Sequence, residues 1–154
     1  MTAEQAYCHK LMLEVGLTDG FDRELDELLE KENPLSDLVL TLSTCGGNRN
    51  EQLHILNEFI RLFPREQIDS DALFSLVADD LWARYANGSL NLKQLLELLH
   101  RIADNSGWYL RDQWEMASSM IFYYDDVKIG WLSEERFMDV LKLLLVEKKA
   151  QLPF

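Results

Sequence analysis

Glycine, proline and cysteine are all scarce in this chain: seven, three and two among 154 residues. So few backbone breakers exclude a collagen-like or low-complexity disordered polymer. Two cysteines, Cys8 and Cys45, are too few for a disulfide-built secreted scaffold, and both read as reduced, structural thiols. No apolar run approaches membrane-spanning length, and the start, Met1-Thr2-Ala3-Glu4-Gln5-Ala6, lacks the basic residues and apolar stretch of a secretory signal. These absences lead us to expect a cytoplasmic protein. Basic residues are short as well: fifteen Lys and Arg face twenty-seven Asp and Glu, a formal charge of −12. That balance repels nucleic-acid backbones and anionic lipid surfaces and attracts basic proteins.

Also missing is any bounded run of alternating apolar and polar residues of the kind a half-buried strand needs. What is present instead is helical spacing nearly throughout, and the expectation is an all-α fold in a single domain over residues 1–154. About seven to eight short helices would form a compact bundle or a short solenoid. The first runs from Thr2, boxed with Gln5, to Gly16, and the second follows Gly20 and stops at Asn33-Pro34. The third covers 35–44, the fourth 50–63, the fifth 69–85 and the sixth 92–104. The seventh covers 108–124 and the eighth 134–149, with Lys148 and Lys149 complementing its negative end. Ile68-Asp69, Leu90-Asn91 and Leu132-Ser133 each precede an apolar residue four beyond the capping residue, the signature of a hydrophobic staple. Gly88–Leu99 aligns loosely with Gly130–Leu141, which raises the possibility of stacked helical hairpins.

Motifs that could carry chemistry fail on helical geometry. Glu51-Gln-Leu-His54 and Glu97-Leu-Leu-His100 resemble the paired Glu-x-x-His ligands of ferritin-like di-iron proteins. At about 100° per residue, however, Glu51, His54 and Glu97 point away from the apolar stripes and His100 sits on a flank, whereas bundle ligands must point inward. The segments around Gly88 and Gly130 resemble the middle of an EF-hand loop but lack its oxygen donors: Ala83, Tyr85 and Gln94 stand at ligand positions in one, Val127 and Arg136 in the other. Cys45 follows a helix whose negative end disfavours a thiolate. No Gly-rich phosphate loop or Gly-x-Ser-x-Gly elbow is present. The reading is therefore of a protein without a cofactor, a metal site or a catalytic residue.

Two features remain. Glu14 to Glu32 holds eight carboxylates against Arg23 and Lys31, half of the net charge. Trp108 to Trp131 holds seven of the sixteen aromatic residues, which marks either a helical core or a surface that grips a partner. Together they suggest a non-catalytic, acidic protein-interaction module that binds a basic protein, as an inhibitor or immunity-type antitoxin would. Ile121-Phe122-Tyr123-Tyr124-Asp125-Asp126 resembles the Tyr-Tyr segment of colicin immunity proteins over those six residues, in a chain longer than theirs. The expected contacts are Tyr123, Tyr124, Asp125 and Asp126 in one patch and Asp22, Asp26 and Glu30 in another. Two alternatives are a metal-dependent, di-iron-like bundle enzyme using His54 and His100, and a structural homo-oligomer joined through the wide apolar strip of residues 138–146.

Overall fold

The computed structural model describes all 154 residues as eight α-helices and one 3₁₀ turn, with no strand, so the chain is all-α. The helices are α1 (Ala3–Glu14), α2 (Asp19–Lys31), α3 (Asp37–Ser43), α4 (Arg49–Arg61), α5 (Ser70–Ala86), α6 (Leu92–Ser106), α7 (Asp112–Lys128) and α8 (Glu134–Val146). Side chains that accept the first free N–H groups set where many of them begin. Thr2 and Gln5 form a reciprocal capping box on α1, and Asn91 and Gln94 form one on α6. Ser36, Asn48 and Ser133 cap α3, α4 and α8 with one side-chain oxygen each.

Three boundaries differ from the sequence expectation by three or more residues, one of them the end of α7, which lies at Lys128 instead of residue 124. Helix α7 starts four residues later than its apolar run, because Trp108 to Arg111 form a turn. The Ser106 hydroxyl accepts the Trp108 N–H at 3.0 Å, Gly107 is left-handed at φ 81°, and the Arg111 N–H returns to the Trp108 carbonyl at 2.8 Å. Asp112 and Glu115 then occupy the first turn of α7, where the helix dipole favours acid. Helix α8 stops at Val146 because Lys148 turns left-handed at φ 60°. The Lys148 ammonium nevertheless caps that negative end as expected, donating to the carbonyls of Leu145 at 2.9 Å and Val146 at 3.2 Å.

The helices fall into two units, Met1–Asp69 and Ser70–Phe154. In the first, α1 packs on α2, α2 on α3, α3 on α4 and α4 back on α1. Ala6, Leu11, Phe21, Val39, Leu42 and Leu56 are fully enclosed there. One polar group joins this core: Gln52 is buried and accepts from Arg49 at 2.9 Å. In the second unit the order α5, α6, α7, α8 closes in the same way, with α6 and α7 in the most extensive contact. Trp114 anchors that core, 1% exposed, with its ring edge against Phe74, its face near Trp108, and its indole N–H donated to the Ser70 carbonyl at 3.2 Å. Enclosing a ring of that size contributes several kcal/mol, on the order of the 3–5 kcal/mol lost on truncation.

The second unit consists of two helical hairpins with the same connector. After α5 and after α7 comes a left-handed glycine, Gly88 at φ 83° and Gly130 at φ 85°. An apolar residue two positions on, Leu90 or Leu132, then returns its N–H to a carbonyl six residues back, Arg84 at 3.2 Å or Asp126 at 3.3 Å. The capping residue of the next helix follows. The loose sequence alignment of these segments thus corresponds to one backbone turn used twice. Between the glycine and the apolar residue the first connector carries Ser89 and the second Trp131.

Candidate interaction surface

The aromatic segment divides. Trp108 and Trp114 belong to the core, Tyr123 and Tyr124 are half-buried, and Tyr109, Phe122 and Trp131 are exposed. A single helix apolar on most sides can serve both core and surface, and α7 does so. Relative to Phe122, Ile129 lies seven residues on and therefore on the same face, while Asp125 and Asp126 flank that line on either side. Phe122 is 59% exposed, Ile129 61% and Trp131 79%. The Asp126 carbonyl accepts the N–H of Trp131 at 2.9 Å, which ties the connector to the end of this stripe.

Phe122 is held in place from beneath. The His100 ring meets it edge to face at 5.4 Å. The His100 ring in turn bridges α6 and α7: Nδ1 donates to the Ser118 carbonyl at 2.8 Å and Nε2 lies 3.3 Å from Asp104. The Ser118 hydroxyl donates to the other Asp104 oxygen at 2.8 Å. This Ser, His and Asp group is not arranged for nucleophilic attack, because the hydroxyl spends its proton on the carboxylate and the nearer imidazole nitrogen already carries one. It ties α6 to α7 beneath the Phe122 ring.

Four consecutive residues cannot share one face of a helix, and Tyr123, Tyr124, Asp125 and Asp126 are spread around α7. Tyr124 turns to α8, tilted on Phe137 at 5.3 Å with the Lys128 ammonium 5.0 Å from its ring. Tyr123 turns to the C-terminal tail, edge-on to Phe154 at 5.7 Å, beside a cleft of about 560 Å³ that Lys148 and Leu152 also line. Asp125 and Asp126 alone accompany the exposed stripe. Phe122, Ile129 and Trp131 were missing from the expected patch, although the seven-residue spacing and the apolar residues on either side of Gly130 were signals for them.

The other expected patch lies on α2, where Asp22, Asp26 and Glu30 recur every four residues on one face. Asp22 is engaged within the unit: both its oxygens accept from the Arg49 guanidinium at 2.7 Å. That hydrogen bond holds its carboxyl below the usual range. Asp26 and Glu30 are exposed. On the opposite flank Glu24 bonds His9, which is its main cause of a lowered pKa.

The strip at 138–146 is narrower than its sequence implies. Leu141, Leu144 and Leu145 are enclosed, since α8 packs on both α5 and α7, and Val146 is the one residue of the strip counted as an exposed large hydrophobic group. The C-terminal tail folds back with Pro153 buried and Phe154 exposed, and Arg136 holds it through the carbonyls of Leu152 and Pro153.

Glu51, His54 and Glu97 face water, and no group of three or more His, Cys, Asp or Glu is placed to hold a metal ion. Neither Cys8 nor Cys45 is joined in a disulfide. Desolvation first and Glu51 second push the Cys45 thiol up, and it rests on the Thr41 carbonyl. No helix is long and apolar enough to cross a membrane. Against known proteins, no family model, no curated protein and no solved structure matches this chain.

Proposed function

We propose that this protein is a non-catalytic interaction module that binds a basic protein partner through the exposed face of α7 and the turn after it, in the manner of an inhibitor or antitoxin. The observation that carries the reading is Trp131. Such a connector needs no large side chain there, since the equivalent position in the other hairpin is Ser89, yet it presents the largest ring available to solvent at 79% exposure. Tryptophan in the middle of an interface is among the residues that contribute most to affinity, and a braced Phe122 loses little freedom on binding. Asp125 and Asp126 beside these rings, on a chain of charge −12, favour rapid encounter with a cationic surface. The cytoplasm is the setting we assign, in keeping with two cysteines outside any disulfide.

The test is affinity capture from native lysate with three immobilised baits: wild type, Trp131→Ser, and the double variant Asp125→Asn, Asp126→Asn. A basic protein retained by wild type, released by salt and lost from Trp131→Ser supports the reading. For that protein the double variant should associate more slowly and with a flatter salt dependence. Equal retention on all three baits rejects this face.

A further inference from the structure

The first unit carries an apolar groove between α3 and α4. Its floor is Leu38, Ile55 and Phe59, with Leu62 standing 76% exposed at one end. One cavity of about 510 Å³ and another of about 470 Å³ meet at Ile55 and continue it as far as Glu51. From Glu51 to Leu62 the groove follows eleven residues of helical rise, about 17 Å, or three turns. Phe59 is fixed edge-on by Phe63 at 5.3 Å, so the floor is formed before anything binds.

Charge decides the occupant. Asp37, Glu51 and Glu58 stand exposed along the rim and outnumber its cations, which are Arg61, tied to Glu58 at 2.8 Å, and Met1, which carries the terminal ammonium and also lines the groove. A second copy of this chain would bring acid to acid, since the exposed apolar stripe of α7 is itself flanked by Asp125 and Asp126 and the net charge is −12. We propose that the α3–α4 groove receives one amphipathic helix of about three turns, with apolar residues at i, i+4 and i+7 seated on Leu38, Ile55, Phe59 and Leu62 and Lys or Arg facing the acidic rim. This surface lies within Met1–Asp69 and is independent of the α7 face.

The probe is a synthetic fifteen-residue peptide with leucines at that spacing, lysines on their flanks and alanine elsewhere, titrated into the isotope-labelled full chain and followed by amide shifts. A second peptide replaces every lysine with glutamate. Support consists of shifts concentrated in α3 and α4, at least fivefold weaker binding to Leu62→Gln, whose exposure leaves folding intact, and a reversed peptide preference in Asp37→Lys, Glu58→Lys. Trp131→Ser should bind the peptide as wild type does, so failure of the α7 reading and of this one are distinguishable. Shifts centred outside the groove, equal binding of the acidic peptide, or no binding at millimolar peptide each overturn the proposal. So does a dimer in sedimentation that Leu62→Gln dissociates, which would identify a second copy as the occupant.

Discussion

Replacing Trp131 with serine puts into the second connector the residue type that the first carries between its glycine and its apolar residue, and separates folding from binding. At 79% exposure about a fifth of the ring is covered, on the order of 50 Å² of a tryptophan's ~250 Å². At about 25 cal/mol/Å² that is ~1.3 kcal/mol, and less in practice, because neighbouring backbone shields part of the ring in the unfolded chain too. We therefore expect a loss below about 1 kcal/mol, a shift of roughly 2–4 °C at most in a chain of this size. The same change at Trp114, which is 1% exposed, should cost about 3–5 kcal/mol. It also leaves the Ser70 carbonyl without its indole donor. Thermal and urea denaturation measure both. Iodide quenching supplies the second readout, since Trp108 and Trp114 are enclosed and Trp82 is half-buried, so removal of Trp131 should abolish most of the quenchable emission. A melting temperature lowered by ten degrees, with quenching unchanged, would refute the assignment of Trp131 to the surface and with it the proposed interface.

Arg49 and Asp22 are paired bidentately but each is more than a third exposed, so a double-mutant cycle of Asp22→Asn with Arg49→Met should give a coupling of no more than about 1 kcal/mol. The folded pKa values of Glu24 and Asp22 lie below their unfolded ones, so their contribution is complete above about pH 5 and disappears as pH falls through the ordinary carboxylate range to the depressed values. Acid titration of circular dichroism should therefore show a low-pH limb that flattens in Glu24→Gln. Gly130→Ala forces a side chain into φ 85° with nothing crowding it; it should cost about 1–2 kcal/mol of conformational strain in chemical denaturation, and more than Ser89→Ala, which sits outside the left-handed position.

Local chemistry made much of the fold legible. Thr2 with Gln5, Asn91 with Gln94, and Ser133 each announce a helix start in the residues themselves, and each caps as expected. Asn48 falls between the expected third and fourth helices, behind two glycines that mask it as a start signal, and its side chain caps α4. The start of α7 was hidden for a different reason: its apolar run begins at Trp108, but a serine hydroxyl and a left-handed glycine impose a turn first. The surface was less legible than the fold. Periodicity puts Trp114 and Tyr124 on one apolar side, but whether Phe122 or Met116 is covered depends on α5, α6 and α8, which arrive from elsewhere in the sequence. Asp125 and Asp126 could be chosen by charge; the rings that accompany them required knowing which side of α7 its neighbours leave open.

The duplicated connector has a consequence for how this protein can change. In the second connector a left-handed glycine and the returning amides of Trp131 and Leu132 hold the turn through the backbone, so the Trp131 ring is released from most of its duty to the fold. Substitutions at Trp131 can then be screened by selection for what they recognise, with scarcely any tax on stability, and a lineage could exchange partners by altering that one codon while the hairpin beneath it stays as it is.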